Sequence, residues 1–189
     1  MARHQKKARR ERRAIVLIDE SGFMLQPVVR RTWARRGQTP VHRTWDRHDR
    51  ISAIAAITVS PVRRRLGLYF RLQDDNFRTP AIVSFVRHVR RHVGPRLLVV
   101  WDRLNAHRTA SNQLTRHFGN NVQTHLLPGY APELNPVEQV WSHTKYAELA
   151  NNIPDDITQL WNDVSTSLSR KRKKPALLKA FFRHARLTL

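Results

Sequence analysis

The chain alternates short apolar, β-branched runs with longer stretches in which apolar positions recur every three or four residues. "AIVLID" (14–19) and "RISAIAAITV" (50–59) are continuous apolar runs, the pattern of strands buried on both faces. In "RLGLYFRL" (65–72), Leu66, Leu68, Phe70 and Leu72 fall on one face and Arg65, Gly67, Tyr69 and Arg71 on the other, which predicts a half-exposed strand. Thr79 as cap and Pro80 at the first position predict a helix, with an apolar stripe of Ile82, Phe85, Val86, Val89 and Val93. Gly94-Pro95 ends it. "RLLVVWD" (96–102) predicts another buried strand, 109–117 a short helix, and "VQTHLL" (122–127) a further strand. From Asn135 the chain is helical in pattern. Ile157, Leu160, Trp161, Val164 and Leu168 form one stripe, and Leu177, Leu178, Phe181, Phe182 and Ala185 another.

The predicted order is β-β-β-α-β-α-β-α-α-α. Three successive strands read as an antiparallel meander, and strands separated by helices as parallel crossovers. The expected class is α/β: a mixed sheet, three antiparallel strands followed by parallel ones, with helices on its faces and a helical C-terminal part. "RTWARRGQTPV" (31–41), punctuated by Gly and Pro, reads as a loop or loose hairpin.

Charge sharpens this picture. Lys and Arg number 35 against 14 Asp and Glu, a formal charge of +21. So large an excess repels itself and points to a polyanionic partner, nucleic acid before an anionic membrane surface. Residues 1–13 hold seven Lys/Arg and one Glu and form a basic N-terminal arm, either flexible or part of a helix. With 40% hydrophobic residues the chain is expected to fold. The absence of cysteine excludes disulfides, thiol catalysis, zinc fingers and Fe–S clusters. The first apolar run is too short for a signal-peptide core, and no segment has the length of a membrane span, so a cytoplasmic protein, nucleoid-associated in a bacterium, is expected.

Most acids in such a chain neutralise bases. Asp19 and Asp102 break the pattern, because each ends a buried strand, at the sheet edge where α/β proteins build their sites. Each alone is equally a loop cap or the partner of an arginine. Together they repel: unit charges about 4 Å apart cost ~1 kcal/mol in water and ~4 kcal/mol at an effective dielectric near 20. A cation or a shared proton would relieve them, and oxygen ligands suit Mg²⁺ or Mn²⁺. A third carboxylate, Glu138, lies in "GYAPELNPVEQVW", with 35 residues between it and Asp102. Asn135 as N-cap and Pro136 at the first helical position start a helix there, so Glu138 is also a candidate for a capping box.

"IDESGF" (18–23), "WARRGQTP" (33–40), "WDRLNAH" (101–107) and "LPGYAPELNPVEQVW" (127–141) resemble, in that order, the catalytic domain of bacterial insertion-sequence transposases of the mariner superfamily. These are DDE enzymes with an RNase H-like fold. The resemblance implies that Asp19, Asp102 and Glu138 bind two Mg²⁺ (or Mn²⁺) ions. It also implies phosphodiester hydrolysis at transposon ends and strand transfer into target DNA, by a homodimer or larger assembly. It places the catalytic domain at 14–151, with 152–189 as C-terminal helices packed on or continuing it. Family members carry helix-turn-helix domains that read the transposon ends. Residues 1–13 are too few for one, so the chain is expected to be the catalytic half of a split transposase, with an upstream polypeptide or frame supplying it, or a truncated copy.

Secondary candidates follow. Glu20, Asn105, His107 and Asn135 are expected to touch DNA or support the triad. Arg35, Arg36 and Gln38 are DNA-binding candidates, and Trp33 beside them is expected to pack under its loop. Lys171, Arg172, Lys173 and Lys174, in "SRKRKKP" (169–175), are either a phosphate-binding patch or a solvated linker. Two other functions remain open at this point: a basic DNA-binding protein with a dead nuclease-like fold, and an RNase H-like nuclease.

Overall fold

The computed structural model describes residues 2–41, 49–61, 65–129 and 131–187. Its elements in chain order are α1 (Ala2–Arg10), β1 (Ala14–Met24), β2 (Arg50–Val59), β3 (Leu66–Gln73), α2 (Thr79–Val93), β4 (Leu97–Trp101), α3 (Asn105–Phe118), β5 (Val122–Leu126), α4 (Pro136–His143), α5 (Ile157–Arg172) and α6 (Pro175–His184). A single π-helical turn, Thr144–Glu148, extends α4.

The strands form one five-stranded sheet in the order β3-β2-β1-β4-β5. β1–β2 and β2–β3 are antiparallel, and β1–β4 and β4–β5 are parallel. This is the mixed sheet that the apolar pattern predicts. β1 is the central strand, flanked by the buried strands β2 and β4. The alternation of side chains divides the core into two. Leu17, Phe23, Ile51, Ile57 and Leu68 face α4, α5 and α6 through Val140, Trp141, Val164, Leu168, Leu178 and Phe182. Val16, Ile18, Ile54, Val99 and Trp101 face α2 and α3 through Ile82, Phe85, Val89, Ala110 and Leu114. The helical C-terminal part therefore completes one face of the same core. No helix among the described residues is long and apolar enough to cross a membrane.

The N-terminal segment is tied to the body. Residues 2–10 are helical, Ala8 is buried, and the Arg13 guanidinium donates to the Asn120 carbonyl at 2.7 Å and to its side-chain oxygen at 3.2 Å. Three local expectations change. β1 continues to Met24, because its pairing with β2 runs on through Met24 opposite Arg50. Thr79 does not cap α2. The helix begins at Thr79 itself with Arg78 in the cap position, and the Thr79 hydroxyl donates to the Ala106 carbonyl at 3.3 Å. Helix α3 begins at Asn105 rather than 109, because the Asp102 carboxylate accepts the Leu104 N–H at 3.0 Å and turns the chain into it.

Candidate active site

The parallel pairing of β1 with β4 includes Leu17 opposite Val100. Two residues further along both chains are Asp19 and Asp102, so the register brings them side by side at one sheet edge, with strands ~4.8 Å apart. Glu138 reaches the same edge from α4. Asn135 fixes that helix start twice over. Its side-chain oxygen accepts the Val137 N–H at 3.2 Å, and its amide donates to the Ile18 carbonyl at 3.0 Å, one residue before Asp19. The cap of α4 is thus bolted to β1. Among the described residues the Glu138 carboxylate makes no hydrogen bond, so the capping-box bond to Asn135 is not formed. Glu138 instead lines a cleft of about 490 Å³ with Asp19, Asp102, Arg103, Asn135, Leu127, Pro128 and others.

Charges in the cleft act on one another. Burial, reinforced by Glu138, Glu20 and Asp102, pushes the Asp19 carboxyl up to about 8, against the opposing hydrogen bond from Trp141. Burial and the neighbouring Asp102 also raise Glu138, while Lys145 pulls it down. Lys145, on the π turn, is itself lowered by burial, opposed by Glu138 and Asp19. Its ammonium lies 5.2 Å from the Phe23 ring centre.

Glu20 and Asp19 point to opposite sides of the sheet, as adjacent strand residues must. Asp19 accepts the Trp141 indole N–H at 2.8 Å on the α4 side. Glu20 turns to the α3 side and meets His107 Nε2 at 3.0 Å, while His107 Nδ1 meets Asp102 at 2.5 Å. His107 is fully buried and stacked on Trp101, with ring centres 4.8 Å apart. Burial lowers its affinity for a proton, but the two carboxylates prevail and hold it up to about 9. The imidazolium thus braces Asp102 from behind. Asn105 lies at the first turn of α3, outside the cleft lining.

The outer candidates are distributed differently. Arg35, Arg36 and Gln38 lie on an exposed segment away from the cleft lining, where the Gln38 N–H closes a turn onto the Arg35 carbonyl at 2.9 Å. Trp33 is fully exposed, not packed under its loop. The base of this segment is pinned by Asn151, whose side chain exchanges two hydrogen bonds with the Arg30 backbone. Lys171 leaves the basic patch. It is fully buried and donates to Glu148 at 2.8 Å and Ser167 at 2.7 Å, because the last turn of α5 points it inward. Arg172, Lys173 and Lys174 stay exposed. Trp141 and Lys145 were not singled out by sequence. Their signal is helical spacing, three and seven residues after Glu138 on the same helix face.

The donor set is all carboxylate oxygen, and a divalent cation would offset both the burial and the carboxylate repulsion that raise Asp19, so the residues fit Mg²⁺ or Mn²⁺ in chemistry and charge. Among the described residues no three Asp, Glu or His side chains form a closed metal-binding group. One Asp102 oxygen is engaged by His107 and the Leu104 N–H.

Comparisons with known proteins identify the family and the fold. The sequence matches the family model for the DDE superfamily endonuclease over residues 14–161. Comparison with curated proteins finds no match. The fold is similar to that of the Mos1 mariner paired-end complex with Mn, with a TM-score of 0.65 and 15% identity, covering 98% of this chain and 56% of that one. The Mos1 strand transfer complex gives a TM-score of 0.63 at 15% identity, covering 98% and 53%. The chain thus spans about half the length of these transposases and shares their RNase H-like fold. On the match over residues 14–161, the chain belongs to the DDE superfamily of endonucleases.

Proposed function

We propose that this chain is the catalytic part of a DNA transposase, with Asp19, Asp102 and Glu138 as its acting carboxylates. The observation that carries the reading is their convergence on one cleft from β1, the β4 end and α4, within a chain of this family. Two divalent ions, Mg²⁺ or Mn²⁺, held by these carboxylates would supply Lewis acidity at the scissile phosphate and offset charge on the attacking and leaving oxygens. The protein's own part is positional. Trp141 and Asn135 hold Asp19 and α4 in place, and His107 with Glu20 fixes Asp102. Lys145 supplies positive charge beside Glu138 and Asp19. The excess of arginine supplies salt-sensitive affinity for the phosphate backbone.

The substrates are transposon ends and target DNA, encountered in the bacterial cytoplasm. The active unit is a homodimer or larger, with a helix-turn-helix polypeptide or frame reading the ends. Purified protein should nick DNA only with Mg²⁺ or Mn²⁺. Asp102→Ala should keep DNA affinity and lose nicking; a variant that nicks at the wild-type rate would refute the assignment. Preference for an RNA–DNA hybrid over duplex DNA would favour the nuclease reading instead.

A further inference from the structure

Away from the cleft, the layer formed by α2 and α3 carries a one-sided charge. Between Asp75 and Glu133 the sequence holds eight arginines, no lysine and a single acid, Asp102, which belongs to the cleft. A groove of about 580 Å³ runs between the two helices, lined by Pro80, Ser84, Arg87, Arg90, Arg91 and Gln113 among others. Arg87 and Arg91 are exposed and make no ion pair among the described residues. Arg90 is fixed along the wall, its Nε donating to the Pro95 carbonyl at 2.9 Å and its guanidinium 4.5 Å from the Phe118 ring centre. Arg71 reaches in from β3 to donate to the Ser84 hydroxyl at 3.3 Å.

This arrangement is unfavourable for the chain alone. Like charges three and four residues apart on a helix repel, and Arg87, Arg90 and Arg91 stand at that spacing with no acid on α2. The same positive field shows at His88, which burial, aided by His92, Arg71 and Arg91, holds below the ordinary histidine range. The groove also has a direction. Thr79 at the start of α2 bonds to Ala106 near the start of α3, so both helices begin at the catalytic edge and run away from it. At 1.5 Å per residue, α2 extends the track by roughly 22 Å.

We propose that the α2–α3 groove binds the phosphate backbone of a DNA segment beyond the one held in the catalytic cleft. The proposal rests on the DNA-processing reading for its choice of polyanion, and its site is separate from the triad. A flat, basic groove with arginines, a hydroxyl and an amide suits phosphate oxygens rather than base edges, so recognition there is independent of sequence.

The test is Arg87→Ala/Arg91→Ala, compared with Lys179→Ala/Arg183→Ala on the exposed side of α6. Binding to duplexes of about 12 and about 40 base pairs would be measured from 50 to 200 mM salt. Each lost phosphate contact removes ~0.9 from the slope of log K against log salt. The groove variant should lower that slope by about 2 on the long duplex and leave the short one unchanged. The α6 variant should change neither. Unfolding temperature should stay at the wild-type value for both. An unchanged slope on the long duplex, or equal losses in the two variants, would overturn the proposal. Because binding is read without cleavage, a protein that failed to nick DNA would leave this result intact.

Discussion

The indole N–H of Trp141 donates to the Asp19 carboxylate at 2.8 Å across 122 positions of sequence. Among the described residues it is one of two side-chain hydrogen bonds joining α4 and its cap to β1, the other running from Asn135 to the Ile18 carbonyl. Trp141→Phe should therefore separate orientation from packing. The ring would still pack edge-on against Phe23, whose centre lies 6.0 Å away. The Asp19 carboxyl, raised to about 8, is mostly protonated at neutral pH, so the loss of this one hydrogen bond costs ~0.5–1.5 kcal/mol of stability. Cleavage should fall by roughly tenfold or more, as expected when a supporting bond behind a metal ligand is removed. Unfolding and cleavage rates on the same preparation check this.

His107 makes the opposite prediction, in which stability suffers first. It is fully buried between Asp102 and Glu20. His107→Ala would leave two carboxylates facing each other without a cation, a change of the class that costs ~3–5 kcal/mol. Glu20→Gln can still accept from Nε2, so it should lose far less. Denaturant midpoints of the two variants should differ in that order.

Asp19 sets a pH trend in metal-free protein. Its carboxyl rises from an ordinary value of 3.8 to about 8 in the folded chain. A carboxyl with a higher pKa folded than unfolded stabilises the fold fully below about pH 4, and that contribution is lost as pH rises through about 8. Wild-type stability in a chelator should therefore fall between pH 5 and 8 relative to Asp19→Asn. Mg²⁺ should restore it, because an ion bound only to the folded state adds ~2.7 kcal/mol at a hundred times its dissociation constant. Urea midpoints across this pH range, with and without Mg²⁺, decide the matter.

Much of this site was legible beforehand, for a physical reason. A carboxylate at the end of a continuous apolar run is visible in sequence, and parallel pairing of β1 with β4 makes two such ends neighbours. Glu138 was legible through the Asn-Pro start that fixes its helix. The supports were not. Trp141 follows the apolar spacing of any core residue, and nothing local shows that its N–H meets Asp19. Lys171 reads as one more base in a basic run until the phase of α5 turns it onto Glu148. Trp33 reads as packing under its loop, but the loop holds it in solvent.

That inward turn of Lys171 separates two roles within four basic residues. Lys171→Met should destabilise the fold by up to ~3 kcal/mol by leaving the partly buried Glu148 with fewer partners, and leave the salt slope of DNA binding unchanged. Lys173→Ala/Lys174→Ala, at exposed positions, should leave stability within ~0.5 kcal/mol. If they touch phosphates, the slope should drop by up to about 2. Urea unfolding paired with a salt titration distinguishes them.

The account stands most directly on Glu138. Glu138→Gln keeps the size and hydrogen-bonding capacity of the side chain and removes the charge that a divalent ion needs. The decisive measurement is Mg²⁺-dependent cleavage of DNA by this variant beside wild type, at matched unfolding temperature and DNA affinity. Cleavage lost by ~10²–10³-fold in a normally folded protein is the predicted result, the scale of losing one group that stabilises transition-state charge. Cleavage at the wild-type rate would contradict the three-carboxylate site and return Glu138 to the role of a helix-start residue.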